Sequence, residues 1–279
     1  MRAQREAAPP VNFRGARAAL LAVAVFCGAP AQAEWVSSAR SQARLIDGGA
    51  IDGARYAGVQ IRLSGAAVTY WRDPGEAGAP PVFDFSGSEN LSLAQPLYPQ
   101  PARIDEGGVQ AFGYRREVVF PIRVTPRDKD ALVALDLNLD YAVCDTICLP
   151  VRAHLRLDLP PASLADESAA RLLAEALAKV PRPLDAAQAE AFAHIAPAAG
   201  AQGKPQWLLK ILQDKAEDVF IESPDGFYVE SRPAGESNAF VLTLLDHPAK
   251  KPLPDAPLRV TVTGPSPVEF ELVLPQGRR

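Results

Sequence analysis

From Tyr56 to Leu159 apolar and polar positions repeatedly alternate. In YAGVQIRLSG the residues Ala57, Val59, Ile61 and Leu63 share one side. In ALVALDLNLDY the residues Val133, Leu135, Leu137 and Leu139 oppose Asp136, Asn138 and Asp140, and VRAHLRLDLP puts Val151, Ala153, Leu155, Leu157 and Leu159 together. A period of two is that of a half-buried strand, because successive side chains leave opposite faces of the pleat. EVVFPIRVTP reads the same way, and Pro121 inside it predicts an edge strand or a bulge, since proline brings no N–H to a ladder. Short strands separated by Gly/Pro-rich turns, with no helices between them, predict an antiparallel sandwich. A thioredoxin fold would need βα alternation and is excluded by this pattern.

Beyond Pro161 the period changes. In SLADESAARLLAEALAKVP, Leu172, Leu173, Ala176, Leu177 and Val180 fall on one helical face, Ser163 and Asp166 form a capping-box pattern, and Pro181 stops the run. A weaker helical pattern covers Ala186 to Ile195, and the Ala/Gly/Pro-rich stretch from Ala196 to Pro205 predicts a loop or linker. Strand patterns return in QWLLKIL, DVFIES, AFVLTLL, LRVTVTG and VEFELVLP. The predicted architecture is therefore mainly β: an immunoglobulin-like antiparallel β-sandwich over 34–160, a helical linker region over 161–205 packed at the junction, and a second small β-sandwich over 206–279. The two halves are expected to fold separately.

The N-terminus departs from both patterns. Arg2, Arg5, Arg14 and Arg17 precede an apolar run from Ala18 to Phe26, followed by Ala31-Gln32-Ala33. This is the layout of a secretory signal peptide cleaved near Ala33, and its apolar run falls far short of the ~20 residues a membrane helix needs. Cys27 lies within this segment behind Phe26, where a lipoprotein signal would have a small residue, so it is expected to leave with the signal. Removing four Arg and one Glu leaves 25 basic against 32 acidic residues, a net charge of −7. An exported, acidic product is a poor match for nucleic acid or anionic lipid, and no stable membrane insertion is expected.

Export gives meaning to the pair in YAVCDTICLP, where Cys144 and Cys148 are the only cysteines after Cys27. They flank the tip of a predicted hairpin, where Cα atoms come close enough for a disulfide. Three readings stay open on the residues alone. One is a structural staple, natural in an oxidising compartment but worth only about 2 kcal/mol for so short a loop. The others are a redox-active pair and a metal site. Asp140 and Asp145 stand beside the thiols with no Lys or Arg between Asp140 and Pro150, so the sequence neighbours do not favour a thiolate. Arg152 and His154 on the next strand are possible counterweights. His154, His194 and His247 are too scattered for a zinc motif, and no methionine follows Met1 to bind copper(I). No G-x-S-x-G, H-E-x-x-H or P-loop is present.

Three separated motifs, TYWRDPGEAGAPPVFDFSGSEN (69–90), GYRREVVFPI (113–122) and YAVCDTICLP (141–150), resemble the N-terminal domain of the DsbD/ScsB family of thiol:disulfide interchange proteins. The resemblance runs from about Ser37 to Leu159, with the C-x3-C spacing of ScsB-like members. It implies an immunoglobulin-like domain with a redox-active pair and no cofactor. Such a domain receives electrons from a thioredoxin-like domain, supplied by a membrane-embedded domain, and passes them to oxidised periplasmic proteins. On matching positions, Cys148 is implied as the exchanging sulfur and Cys144 as the resolving one; Arg72 to Pro81 is either the counterpart of a cap loop over the pair or a plain rigid connection. Neither the membrane domain nor the thioredoxin-like domain lies within the 279 residues. A soluble periplasmic interchange partner is therefore expected, served by thioredoxin-like periplasmic proteins or a DsbD-like membrane reductase. The competing expectation is a non-catalytic periplasmic binding or scaffold module with a permanent disulfide.

Overall fold

The computed structural model describes residues 34–161, 165–200, 204–213, 215–246 and 256–275. The signal-peptide expectation, Cys27 and His247 lie outside the described residues. Among the described residues no helix is long and apolar enough to cross a membrane.

Eleven strands form the first half: β1 (Val36–Ser37), β2 (Ser41–Ile51), β3 (Ala54–Leu63), β4 (Val68–Gly75), β5 (Val82–Asp84), β6 (Leu91–Pro96), β7 (Ala102–Asp105), β8 (Gln110–Arg115), β9 (Glu117–Pro126), β10 (Val133–Cys144) and β11 (Cys148–Leu159). They make an antiparallel sheet in the order β1-β2-β3-β9-β6 and a second in the order β11-β10-β4-β8-β7, with β5 added to β10. The alternation in the sequence supplies the filling. Leu45, Val59, Ile61, Phe120 and Ile122 from one sheet meet Trp71, Leu135, Leu137, Leu139 and Leu155 from the other in one buried cluster. This is an immunoglobulin-like β-sandwich.

Two strands differ from the half-buried expectation. Gly58 and Gln60 of β3 are buried along with Val59 and Ile61, and Val118 through Ile122 of β9 are buried without a break. The cause is helix α1 (Glu167–Leu177), which lies on the outer face of the first sheet instead of at the junction of the halves. Its Ala169, Leu173 and Ala176 pack against Ile46 of β2 and Val119 of β9. Gly48 permits the approach, since a Cβ there would stand 2.1 Å from Leu173 Cδ2. The N-cap is Asp166, whose side chain accepts from the Ser168 N–H; Ser163 lies outside the described residues.

Pro121 is not on an edge strand, since β9 lies between β3 and β6. Its carbonyl accepts from the Leu97 N–H, one residue past the end of β6. A residue's N–H and C=O leave a strand on the same side, so the missing donor faces the place where the neighbouring strand has just ended.

The second half contains β12 (Arg182–Pro183), α2 (Ala186–Phe192), β13 (Ala193–Ala198), β14 (Gln206–Ile211), β15 (Asp218–Glu222), β16 (Tyr228–Pro233), β17 (Ala239–Asp246), β18 (Leu258–Thr263) and β19 (Val268–Leu272). The sheets β12-β19-β18-β15 and β13-β14-β17-β16 enclose Trp207, Leu209, Val219, Leu242 and Val260. Helix α2 is capped by an Asp185/Gln188 capping box and ends at Phe192, three residues before the expected limit. Ala193–Ala198 is instead strand, drawn into antiparallel pairing with β14, so the expected loop begins only after Ala198. Strand β16, with Glu230, Ser231 and Arg232, has too few apolar residues to stand out in the sequence.

The halves meet through the outer face of the sheet holding β15. Phe220 enters the first half's core, 5.9 Å from the Trp71 ring and 4.9 Å from that of Phe112. On either side of it, Arg103 of β7 pairs with Asp218 at 3.0 Å, and Arg72 of β4 pairs with Glu222 and Glu269, each at 2.7 Å.

The packing of α1 is testable. Leu173→Ala leaves a cavity between the helix and the first sheet and is expected to cost about 2–5 kcal/mol in urea denaturation. Leu172→Ala, at the partly buried neighbouring position, is expected to cost clearly less. Equal effects would place the helix face wrongly.

Candidate functional site

Strands β10 and β11 pair without a register shift from Val133 opposite Leu159 to Cys144 opposite Cys148. The leucines at odd positions point into the sandwich, so the even-numbered cysteines share the opposite, outer face of the sheet. They form a disulfide whose Cα atoms are 4.0 Å apart.

The two sulfur-bearing residues have different surroundings. Cys144 is 2% exposed, in a small cluster with Val68, Tyr70, Ile104 and Ala111, and with Ala77 packed against it. Cys148 is exposed, as are Asp145 to Leu149 around it. Ile147 and Val82, at 70% and 57% exposure, leave apolar surface near the pair. Beside them Ala79, Pro80, Val82, Ala142 and Pro150 line a groove of about 480 Å³.

Tertiary structure revises the electrostatics read from the neighbours. Arg40, 105 residues away, donates to Asp145 at 2.6 Å, and Arg152 donates to Asp140 at 2.7 Å. Both carboxylates beside the thiols therefore have a cationic partner. His154 sits 2.7 Å from Asp136 and is turned to that carboxylate rather than to the pair. His154 and Arg156 hold the Asp136 carboxyl below the usual carboxylate range. The two residues nearest the exposed cysteine through polar contacts are Tyr70 and Glu106. The Tyr70 hydroxyl lies 3.8 Å from Cys148 Sγ and donates to both Glu106 oxygens, at 3.0 and 2.9 Å. Burial, with the adjoining Glu106, pushes the Tyr70 pKa well up, so the hydroxyl keeps its proton. With that proton directed at Glu106, the oxygen offers Cys148 a lone pair, which suits a protonated thiol better than a thiolate.

The sequence did not single out either residue for chemistry. Tyr70 lies inside the first resembling motif, but Glu106 is in the turn between β7 and β8, whose Asp-Glu-Gly-Gly composition signals only a turn. The stretch Arg72 to Pro81 splits in two. Arg72 to Gly75 continue β4, and Arg72 points to the second half. Beyond the strand, Ala77 packs on the cluster that holds Cys144, while Cys148 stays exposed. Gly78, at φ +89°, runs along the face of Tyr70, where a Cβ would stand 2.2 Å from the ring.

Glu106→Ala removes the carboxylate charge and the acceptor that holds the Tyr70 hydroxyl. In the reduced protein both changes stabilise a Cys148 thiolate. The expected result is a thiol pKa lower by about one pH unit, read from the pH dependence of alkylation. An unchanged or raised pKa would reject the polar link from Glu106 through Tyr70 to Cys148.

Residues 44–160 match the family model for the thiol:disulfide interchange protein DsbD, N-terminal. The crystal structure of the N-terminal periplasmic domain of ScsB from Proteus mirabilis is similar in fold, with a TM-score of 0.67 at 21% identity. The similarity covers 87% of this chain and 98% of that one, so it extends past Leu159 into the second half. No curated protein matches the chain. Over residues 44–160 the chain is thus similar in sequence to the DsbD N-terminal family, and in fold to the ScsB domain over most of its length.

Proposed function

We propose that this chain is an exported periplasmic thiol–disulfide interchange protein. In this reading it passes electrons between a thioredoxin-like or membrane-reductase donor and periplasmic clients through Cys144 and Cys148. The observation that carries it is the asymmetry of the pair: an exposed Cys148 flanked by apolar surface, and a buried Cys144 behind it. The match of residues 44–160 to the DsbD N-terminal family model supports the same reading.

The step balances with no further reactant. The reduced Cys148 thiolate attacks one sulfur of a client disulfide, and that bond breaks as the second client sulfur leaves and takes a proton. Cys144, as thiolate, then attacks Cys148 Sγ in the mixed disulfide. The intramolecular disulfide forms and the first client sulfur departs as a thiol. Two electrons pass to the client, and a dithiol on a thioredoxin-like donor returns them by the same exchange in reverse.

Removing the resolving cysteine should stop the cycle at the mixed disulfide. Cys144→Ser is expected to accumulate a covalent adduct with a thioredoxin-like periplasmic protein through Cys148, while Cys148→Ser is not. Adduct formation is read by non-reducing electrophoresis and mass spectrometry. A permanent staple gives no adduct from either variant and a reduction potential below about −300 mV, whereas a working pair titrates at a more oxidising potential.

A further inference from the structure

One hydrogen bond ties the second half to the segment that follows β4. At the start of β16 the Tyr228 hydroxyl donates to Glu76 Oε1 at 3.2 Å. Burial and the neighbouring carboxylates Glu76, Glu230 and Asp73 push its pKa well up, so it remains a donor. Glu76 heads the segment that packs beside the buried Cys144. Next in sequence are Ala77, packed on the Cys144 cluster, and Gly78, pressed against the Tyr70 ring. On the β4 side the segment is already held: the Gly75 N–H donates to Asp73 Oδ1 at 3.1 Å, and the Glu76 N–H donates to the Gln110 carbonyl at 3.0 Å. Arg72, four residues before Glu76, is bound to Glu222 and Glu269 of the second half. The second half thus holds β4 at Arg72 and the segment after it at Glu76.

We infer that Tyr228 and Glu76 form a latch by which the second half positions the 76–78 segment beside the buried Cys144 of the Cys144–Cys148 disulfide and sets how readily that bond is opened. The inference rests on the proposed exchange reaction and names the residues that regulate it. The physical reason lies in the leaving group. A thiolate attacking Cys148 Sγ breaks the S–S bond and expels Cys144 as a thiolate, which takes a proton from solvent. That sulfur is expelled into an apolar cluster, where burial disfavours the charged form until water reaches it. Ala77 is among the groups that keep water out. Lifting the segment therefore precedes or accompanies reduction, and the Tyr228–Glu76 bond opposes the lifting.

The full chain and the dithiol dithiothreitol provide the test. The two dithiothreitol thiols attack in turn, first Cys148 Sγ and then their own mixed-disulfide sulfur, leaving a cyclic disulfide and reduced Cys144 and Cys148. An ordinary net hydrogen-bond contribution corresponds to about a three- to tenfold change in an opening equilibrium. Tyr228→Phe and Glu76→Ala are each expected to speed reduction by about that factor, with the thermal midpoint unchanged. The double variant should be no faster than either single one, because both remove the same bond. Glu76→Gln keeps an acceptor and should stay near the parent rate. Parent-like rates in both single variants, or effects that multiply in the double variant, overturn the latch. If Glu76→Ala lowers the thermal midpoint, Tyr228→Phe, which removes only one oxygen, decides the matter. Faster reduction without any trapped adduct in Cys144→Ser would reject the relay and leave the latch; an adduct with parent-like reduction rates would reject the latch alone.

Discussion

The parity of one hairpin governs the location of the chemistry. Twelve residue pairs join β10 to β11 in unbroken register, so each side chain's face follows from its distance to the leucines. Leu135, Leu137 and Leu139 occupy the sandwich core, and Cys144, five residues after Leu139, must therefore leave the opposite face. Its partner across the ladder is Cys148, on the same face by the same count. A slip of one residue would turn the disulfide into the core and the leucines into water. The burial of the leucines, each worth about 1.5–3 kcal/mol, thus holds the pair on the surface that a partner can reach.

Once placed on the outer face, the pair needs a local shelter, which comes from segments remote in sequence. Tyr70 from β4, Ile104 from β7 and Ala111 from β8 surround Cys144, and Ala77 and Gly78 lie across them. The shelter is asymmetric. It encloses one cysteine and leaves the other beside exposed Ile147, so two sulfurs of identical covalent chemistry differ in their exposure.

The second half is joined to the first by an apolar contact and by ion pairs with different consequences. Phe220 sits in an aromatic pocket between Trp71 and Phe112, and its removal from water stabilises the junction by about 1.5–3 kcal/mol. Burial disfavours the Arg72 guanidinium, but hydrogen bonds to Glu222 and Glu269 outweigh that and hold its pKa above the usual value. Such partly buried pairs return little net stability after desolvation. Their effect is directional: a planar guanidinium held by two carboxylates fixes the orientation of β4, and β4 carries Tyr70 to Cys148.

The amino-acid sequence alone determined the elements whose cause is local. The period of two in β10 and β11, the helical face around Leu173 and the placing of the cysteines at a hairpin tip follow from neighbours within a few residues. It also contained the motifs that resemble the DsbD N-terminal family, because those are strings of adjacent residues. Only the tertiary structure decided what depends on contacts between distant segments. Helix α1 covers the outer face of β9 at Val119 while the sandwich core buries the inner face, so the half-buried pattern of β9 misled, and β6 ends beside Pro121, so an interior strand tolerates a proline. Arg40 crosses 105 residues to pair with Asp145, and Tyr70 of β4 meets Glu106 of the β7–β8 turn beside Cys148. Charge and hydrogen bonding act through space over a few ångströms, and for these groups proximity is created by the sheet order, which no local pattern encodes.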